Sequence, residues 1–402
     1  MSCFVLLGVV AHGSVCVFAE QRQAQPDIIQ RSERLDGLGV RVRLTPEQYA
    51  AQAAELRITY SKPPAEWPKP ELEEHPDLKF AEIGRLPREA PHPERNPFTK
   101  EKAELGKQLF FDPRLSGSMQ IACASCHDPD LGWADGRTVA FGHDRQVGTR
   151  NTPTIMNSGF GESFFWDGRA SSLESQSRQP VINEIEMHST PDLIAERVNQ
   201  IAGYREAFKR VFDVDEVSFD EIGKAIACFE RTIVGGRSRF DAFMDGKTDV
   251  LSDSAVRGLH LFRTTARCIN CHNGPNFSDN QFHNLGLTYY GRKFEDLGRY
   301  IATKKPEDVG RFKTPTLRNV TATAPYMHNG LFELEGVLNI YNAGGFDPEP
   351  KNEAQANDPL FPKKSALLKK LNLSKRDLAD LTEFLKALEE PKQRVRPPVL
   401  PK

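Results

Sequence analysis

Long polar, proline-broken stretches alternate along the chain with short segments whose apolar residues fall three and four apart, the period of a helix buried on one face. The first such segment, TKEKAELGKQLFF, opens with Thr99 in a capping position. The same period predicts helices at 191–211, 218–234, 252–263 and 374–389. The last of these begins at Ser374 with Asp377 three residues on, the spacing of a capping box. EGVLNIYNAGGF, residues 335–346, reads as a helix end followed by a glycine turn, and it carries Tyr341. Strand-like alternation is scarce, so the pattern predicts a mainly α chain with long loops. Residues 21–98, polar and rich in proline, predict an extended arm that wraps the rest and has little core of its own.

The chain also repeats itself. TPTIMN at 152–157 matches TPTLRN at 314–319, an offset of 162. That offset carries Trp166-Asp167-Gly168 onto His328-Asn329-Gly330. Upstream, GKQLF at 106–110 resembles GLHLF at 258–262. Two copies with loops of unequal length indicate two lobes of similar fold meeting across a pseudo-twofold interface, not a solenoid.

At 402 residues there is enough chain for two or three cored domains. The net charge of −2 gives no basic field for nucleic acid. The N-terminus, MSCFVLLGVVAHGSVCVFAEQ, has a short apolar run ending in Val-Phe-Ala, which predicts an export signal cleaved near Ala19. Of the seven cysteines, Cys3 and Cys16 fall in that signal, and Cys228 lies on an apolar helical face, as a small core residue would. The remaining four form two close pairs, so nothing is left over for a disulfide framework.

Those pairs carry the chemistry. CASCH (123–127) and CINCH (268–272) are both Cys-x-x-Cys-His. Two thiols on one turn can add to the two vinyl groups of haem while the adjacent histidine reaches the iron. One such motif could equally be half a zinc site or a redox pair. Two of them, one in each repeat and each preceded by a similar helix, predict two covalently bound haem c groups. Cys123, Cys126, Cys268 and Cys271 would attach them, with His127 and His272 as proximal ligands. Attachment of this kind supports export, to the periplasm or the cell surface.

Over about residues 98–390 the chain resembles the bacterial di-haem cytochrome c peroxidases and MauG-like enzymes. The phrases that carry the resemblance are CASCH, GTRNTPTIMN, FFWDGRASSLESQ, EIEMH, CINCHNG, TPTLRNVTATAPYMHNG and VLNIYNAGG. It implies two cytochrome c-like haem domains related by internal duplication. The expected layout is a signal peptide at 1–19, an N-terminal extension at 20–97, a peroxidatic haem domain at 98–245 and an electron-transfer haem domain at 246–402. In the first pocket, His143, sixteen residues beyond His127, matches a histidine that can cap the resting haem. Gln176 and Glu186 resemble the distal glutamine and glutamate, and Pro180 a proline lining the pocket in the MauG type. Glu186 would move a proton from the inner to the outer peroxide oxygen. Trp166 matches a tryptophan between the two haems that carries a hole from one to the other. Asn151, through its side chain, and the carbonyls of Thr323 and Pro325 match the protein ligands of a calcium ion, whose oxygen-only shell suits that cation.

The second haem's sixth ligand separates two functions. Methionine there raises the reduction potential, and the one methionine downstream of His272 is Met327. Tyr341 stands where MauG-type enzymes carry a tyrosine, a hard ligand that favours oxidised iron. The resemblance with Tyr341 as ligand implies MauG-like oxidation of a partner protein or electron donor by hydrogen peroxide, through a bis-ferryl type state. The alternative is a cytochrome c peroxidase that reduces hydrogen peroxide with electrons from a small cytochrome or copper protein. Two departures bear on this: Ala266 stands where MauG has a tryptophan, and His143 is peroxidase-like. A plain di-haem electron carrier, needing neither Gln176 nor Glu186, is the third reading. The resemblance allows a homodimer.

Overall fold

The computed structural model describes residues 44–402 apart from Asp77 and Gln393. The expected signal peptide and residues 20–43 of the arm lie outside the described residues. The chain divides into two compact units, residues 1–49 and 50–402. Helix α1 (Pro46–Tyr60) begins in the first, and its remaining residues belong to the second.

In the second unit α2 (Lys100–Phe110) leads into the first Cys-x-x-Cys-His turn. After that turn come α3 (Leu173–Gln176), α4 (Arg178–Ile182), α5 (Pro191–Gln200), α6 (Ala202–Phe212) and α7 (Phe219–Glu230). Helices α8 (Arg239–Met244) and α9 (Asp253–Arg263) precede the second turn. Beyond it lie α10 (Tyr300–Thr303), α11 (Leu334–Ala343), α12 (Glu353–Ala356) and α13 (Lys375–Ala387). Sheet among the described residues is one antiparallel ribbon, β1 (Phe282–His283) on β2 (Phe312–Lys313).

The helix ends follow the sequence. Thr99 caps α2 by accepting the Lys102 N–H at 3.1 Å. Ser374 and Asp377 form the expected capping box on α13. Gly344, at φ +85°, closes α11 in the left-handed conformation that favours glycine. The predicted helix over 191–211 is instead two helices broken at Ile201 (φ −94°, ψ 110°). The Gly203 N–H, in the unpaired first turn of the second helix, donates to the Lys402 carbonyl at 3.0 Å. The helix predicted over 218–234 ends at Glu230.

Two hydrophobic cores organise this unit. One gathers residues of α2, α5, α6 and α7, and the other gathers α8, α9 and α13. Each is built on a close helix crossing. A Cβ on Gly106 of α2 would come within 1.9 Å of the Ala225 carbonyl oxygen, and one on Gly258 of α9 within 2.0 Å of the Asp380 carbonyl oxygen. Each crossing supports edge-to-face aromatics: Phe110, Trp133 and Phe229 at 5.4–6.1 Å in the first core, Phe240, Phe262, Phe277 and Phe384 mostly at 5.3–5.8 Å in the second.

The arm contributes more core than its composition predicts. Leu56, Tyr60, Trp67 and Ile83 are all buried in the second core. Arg263, 1% exposed, ties this segment down through Glu82 at 2.5 Å and the Pro68 carbonyl at 2.6 Å. Conversely, Val395 packs on the first core. Phe240 and Phe243 of α8, placed by sequence in the first domain, belong to the second core.

Candidate haem sites

Both Cys-x-x-Cys-His motifs begin in single 3-10 turns, Cys123–Ser125 and Cys268–Asn270. The proximal rings are held alike. His127 donates its Nδ1–H to the Trp133 carbonyl at 3.1 Å, and His272 donates its Nδ1–H to the Phe277 carbonyl at 3.1 Å. A carbonyl can only accept, so each Nε2 keeps its lone pair for a metal. Trp133 and Phe277 are themselves members of the aromatic clusters, which is how core packing orients the two ligands. Burial pushes both imidazoles below the ordinary histidine range, into the neutral form that ligates.

No disulfide joins the four cysteines of the motifs. Burial pushes the Cys123 and Cys268 thiols up to about 12 and Cys126 up to about 11. No four-cysteine cluster of the zinc type occurs among the described residues. Among the described residues, the one group of three close ligand-type side chains is Cys271, Asp279 and His283. Two separate attachment turns therefore fit haem and not a shared zinc ion.

A mainly apolar cavity of about 300 Å³ lies against the second turn, lined by Cys268, Cys271, His272, Leu338, Tyr341 and Leu385 among others. The His272 and Tyr341 rings face each other with centroids 6.5 Å apart and planes at 83°. The imidazole and the phenol thus border one cavity, as two ligands of a single cofactor would. Burial, then the neighbouring Cys271, Cys268 and Asp279, push the Tyr341 phenol above its ordinary range. Met327 lines the same cavity, from a loop residue at φ +69°.

Of the residues expected above the first haem, His143 and Glu186 come together, on two loops. The His143 N–H donates to the Ile185 and Glu186 carbonyls at 2.8 and 2.9 Å, which ties the His143 loop to the Glu186 loop. The His143 ring stacks on His188 at 4.3 Å, with its Nδ1 buried and unpaired. Glu186 accepts from Asn183 Nδ2 at 2.8 Å. Burial pushes its carboxyl up, against the opposing pull of Arg169 and Asn183. Gln176 ends α3, and Pro180 lies in α4, where its carbonyl accepts the Met187 N–H at 3.1 Å.

Between the two turns the repeat becomes a symmetric contact. The Asn151 N–H donates to the His328 carbonyl at 2.8 Å, and the Lys313 N–H donates to the Trp166 carbonyl at 2.8 Å. The offset of 162 converts one bond into the other with the partners exchanged. Trp166 donates its Nε1–H to the Asn151 carbonyl at 2.9 Å, and its ring meets His328 edge-on at 6.4 Å. His328 in turn stacks on Phe312 at 3.6 Å. Burial pushes the His328 imidazole down to about 4. Arg150 locks the contact through Asp167 at 2.6 Å and Asp296 at 2.7 Å. Asn151, Thr323 and Pro325, the expected calcium ligands, all line the cavity that reaches Trp166. The Asn151 amide nitrogen donates to the Arg137 carbonyl at 2.8 Å, which leaves its oxygen for a cation.

The sequence reading missed Arg150, Asp296, His328 and Lys313. The repeat held the signal for two of them, since the offset maps Trp166 to His328 and Asn151 to Lys313.

With this geometry in hand, comparison places the chain among known proteins. A family model described as di-haem cytochrome c peroxidase matches residues 100–249. The methylamine utilization protein MauG of Methylorubrum extorquens is 39% identical over 79% of this chain and 86% of its own length. The chain belongs to the di-haem cytochrome c peroxidase and MauG family. Cytochrome c551 peroxidase of Nitrosomonas europaea is 40% identical over 58% of this chain and 70% of its own length. A crystal structure of a MauG-like protein associated with microbial copper homeostasis shares 33% identity and a TM-score of 0.66, over 79% of this chain and 96% of that one. The chain is thus an enzyme, a mainly helical c-type oxidoreductase of the di-haem peroxidase family, and the family brings two haem c groups. No helix among the described residues is long and apolar enough to cross a membrane.

Proposed function

We propose that this enzyme reacts with hydrogen peroxide at the His127 site and passes oxidising equivalents to a His272/Tyr341 haem, from which a partner protein or donor is oxidised in the MauG manner. The observation that carries this reading is that His272 and Tyr341 line the same cavity, edge to face at 6.5 Å. Met327 fits the ligand role less well. The offset of 162 places it at the position of Phe165, and both adopt the same left-handed turn (φ +69° and +67°) beside the inter-lobe contact. Its conformation belongs to the repeated loop.

The first haem, when bound, supplies the electrons that break the peroxide O–O bond. Glu186 takes the proton from the inner oxygen and returns it to the outer one, so that water leaves. A carboxyl raised by burial sits closer to working pH than an ordinary one, which suits it to both halves of that transfer. Gln176 hydrogen-bonds the peroxide, and Pro180 shapes the wall. Trp166, fixed by its bond to Asn151, carries the hole between sites. Asn151, Thr323 and Pro325 would hold a calcium ion at the contact. The two lobes arose by duplication, with export to the periplasm or cell surface, and the docked partner is a small cytochrome, a copper protein or a protein substrate.

A second reading, reduction of peroxide by a cytochrome c peroxidase, has one observation in its favour. The His143 loop is hydrogen-bonded onto the Glu186 loop, where it can cap the first site. Ligand substitution separates the readings. Tyr341→Phe should change the visible and paramagnetic-resonance spectra of the second haem, and Met327→Leu should leave them alone. The reverse result assigns methionine and overturns the MauG-like reading.

A further inference from the structure

The repeat aligns the helices that back the two cofactors as well as the loops between them. The Asn157 N–H donates to the Ile233 carbonyl at 2.9 Å, and the Gly235 N–H to Asn157 Oδ1 at 2.8 Å. In the other lobe the Asn319 N–H donates to the Leu388 carbonyl at 3.1 Å, and the Glu390 N–H to Asn319 Oδ1 at 2.7 Å. The close crossings agree: a Cβ on Gly106 would meet Ala225 and Phe229, and one on Gly258 would meet Asp380 and Phe384. All these pairs along α7 and α13 share an offset of 155, which carries Glu230 onto Leu385. Leu385 lines the second haem cavity together with His272 and Tyr341. The first lobe therefore turns a carboxyl toward its cofactor where the second turns an isobutyl group.

Glu230 is 4% exposed, and its Oε2 is buried without a hydrogen-bond partner. A carboxyl left so is costly as an anion and is kept for a reason other than packing. The groups facing it are few. Cys123 of the attachment turn lies close enough for the Glu230 charge to push its thiol up, after burial. Arg231, beside it, is drawn away by Glu174 of α3 at 2.8 Å. Lys102 of α2 is bound to Asn96 and Pro97, and Arg197 of α5 to the carbonyls of Arg114 and Ser116. Burial pushes the Glu230 carboxyl up to about 8, with the Arg231 charge opposing it and the Glu174 charge adding to it.

We propose that Glu230 is a proton-carrying residue of the first haem pocket: it takes one proton from solvent when one electron enters that pocket and releases it when the electron leaves. The local charge then stays constant through the cycle, and the first haem's potential becomes dependent on pH. The second haem, backed by Leu385, lacks this coupling. The inference rests on haem being attached at Cys123 and Cys126, and it does not depend on the second haem's sixth ligand or on any reaction with peroxide.

The test is a spectroelectrochemical titration of the holoenzyme at several pH values without peroxide. The first haem of the unaltered protein should show a potential that falls with pH, by up to about 59 mV for each tenfold drop in proton concentration. Glu230→Gln and Glu230→Leu should flatten that slope and leave the slope of the second haem unchanged. An unaltered slope for the first haem in either variant overturns the proposal. An independent measurement needs no variant. Recorded above about pH 8, where the carboxyl starts ionised, redox-difference infrared spectra of the unaltered enzyme should gain a protonated carboxyl band as the first haem is reduced, and the lack of one contradicts the assignment.

Discussion

The two lobes share a frame down to its irregularities and differ in what they turn toward their cofactors. Asn157 and Asn319, Phe165 and Met327, and Gly168 and Gly330 all adopt positive φ at the same offset of 162. So do the isolated bridges Phe164–Ala170 and Tyr326–Phe332. Against that common frame the first lobe has a buried carboxyl at Glu230 and a raised one at Glu186, and the second has Leu385 and the phenol of Tyr341. On the proposed reading, one backbone frame would hold two haems in equivalent places, and a few side chains would decide which one handles protons and which one holds oxidation.

The largest effect expected from breaking this comparison is loss of one cofactor. Replacing Cys268 and Cys271 together by Ala should remove covalent haem from the second lobe alone, and a haem assay should show half the wild-type content per chain. Next, Glu186→Gln should slow the reaction with peroxide by about two to four orders of magnitude, because a positioned acid–base group contributes on that scale. Its pH profile sharpens the point. A carboxylate base is lost on protonation, so wild-type activity should fall as pH drops through a value above the ordinary carboxylate range. The variant should lack that limb.

Phe384→Ala should destabilise the second lobe by about 3–5 kcal/mol, since it empties the centre of four packed aromatics. Phe229→Ala, at a partly less buried position, should cost the first lobe less; denaturant melts followed at each haem would tell them apart. The smallest effect lies at the contact. Burial pushes the Asp296 carboxyl up, but the hydrogen bonds and charge of Arg150 outweigh it and leave the carboxyl below its ordinary value. Its stabilisation is therefore present above the unfolded value and is lost as pH falls through the lower folded one. Asp296→Asn should cost about 1.5–3 kcal/mol near neutral pH and nothing in strong acid, as melting temperatures across pH would show.

Much of this was readable before any coordinates. The haem attachment turns, the capped helices and the repeat are local in sequence, where spacing reports geometry directly. The arm misled because prolines and charges dominate its composition while a few residues, Tyr60 and Trp67 among them, fill the second core. The break at Ile201 left no periodic trace, and the Gly203 N–H beside it finds its acceptor at Lys402, some two hundred residues away. Arg150 and Asp296 could not be paired from sequence, since charged residues at such separation leave no periodic trace. His328 was legible only as the image of Trp166 under the offset. Glu230 lies within an apolar helical stretch whose period gives it no role, and its contrast with Leu385 emerges only when α7 is set against α13.

The central claim is that oxidising equivalents from peroxide are shared between a His127 haem and a tyrosine-ligated second haem. Its most direct test is to add hydrogen peroxide to the fully oxidised enzyme and follow both haems spectroscopically. The account predicts that both spectra change together, without prior reduction, and that the changed state persists. Silence at both haems until one has been reduced would contradict it and assign the enzyme to the cytochrome c peroxidases.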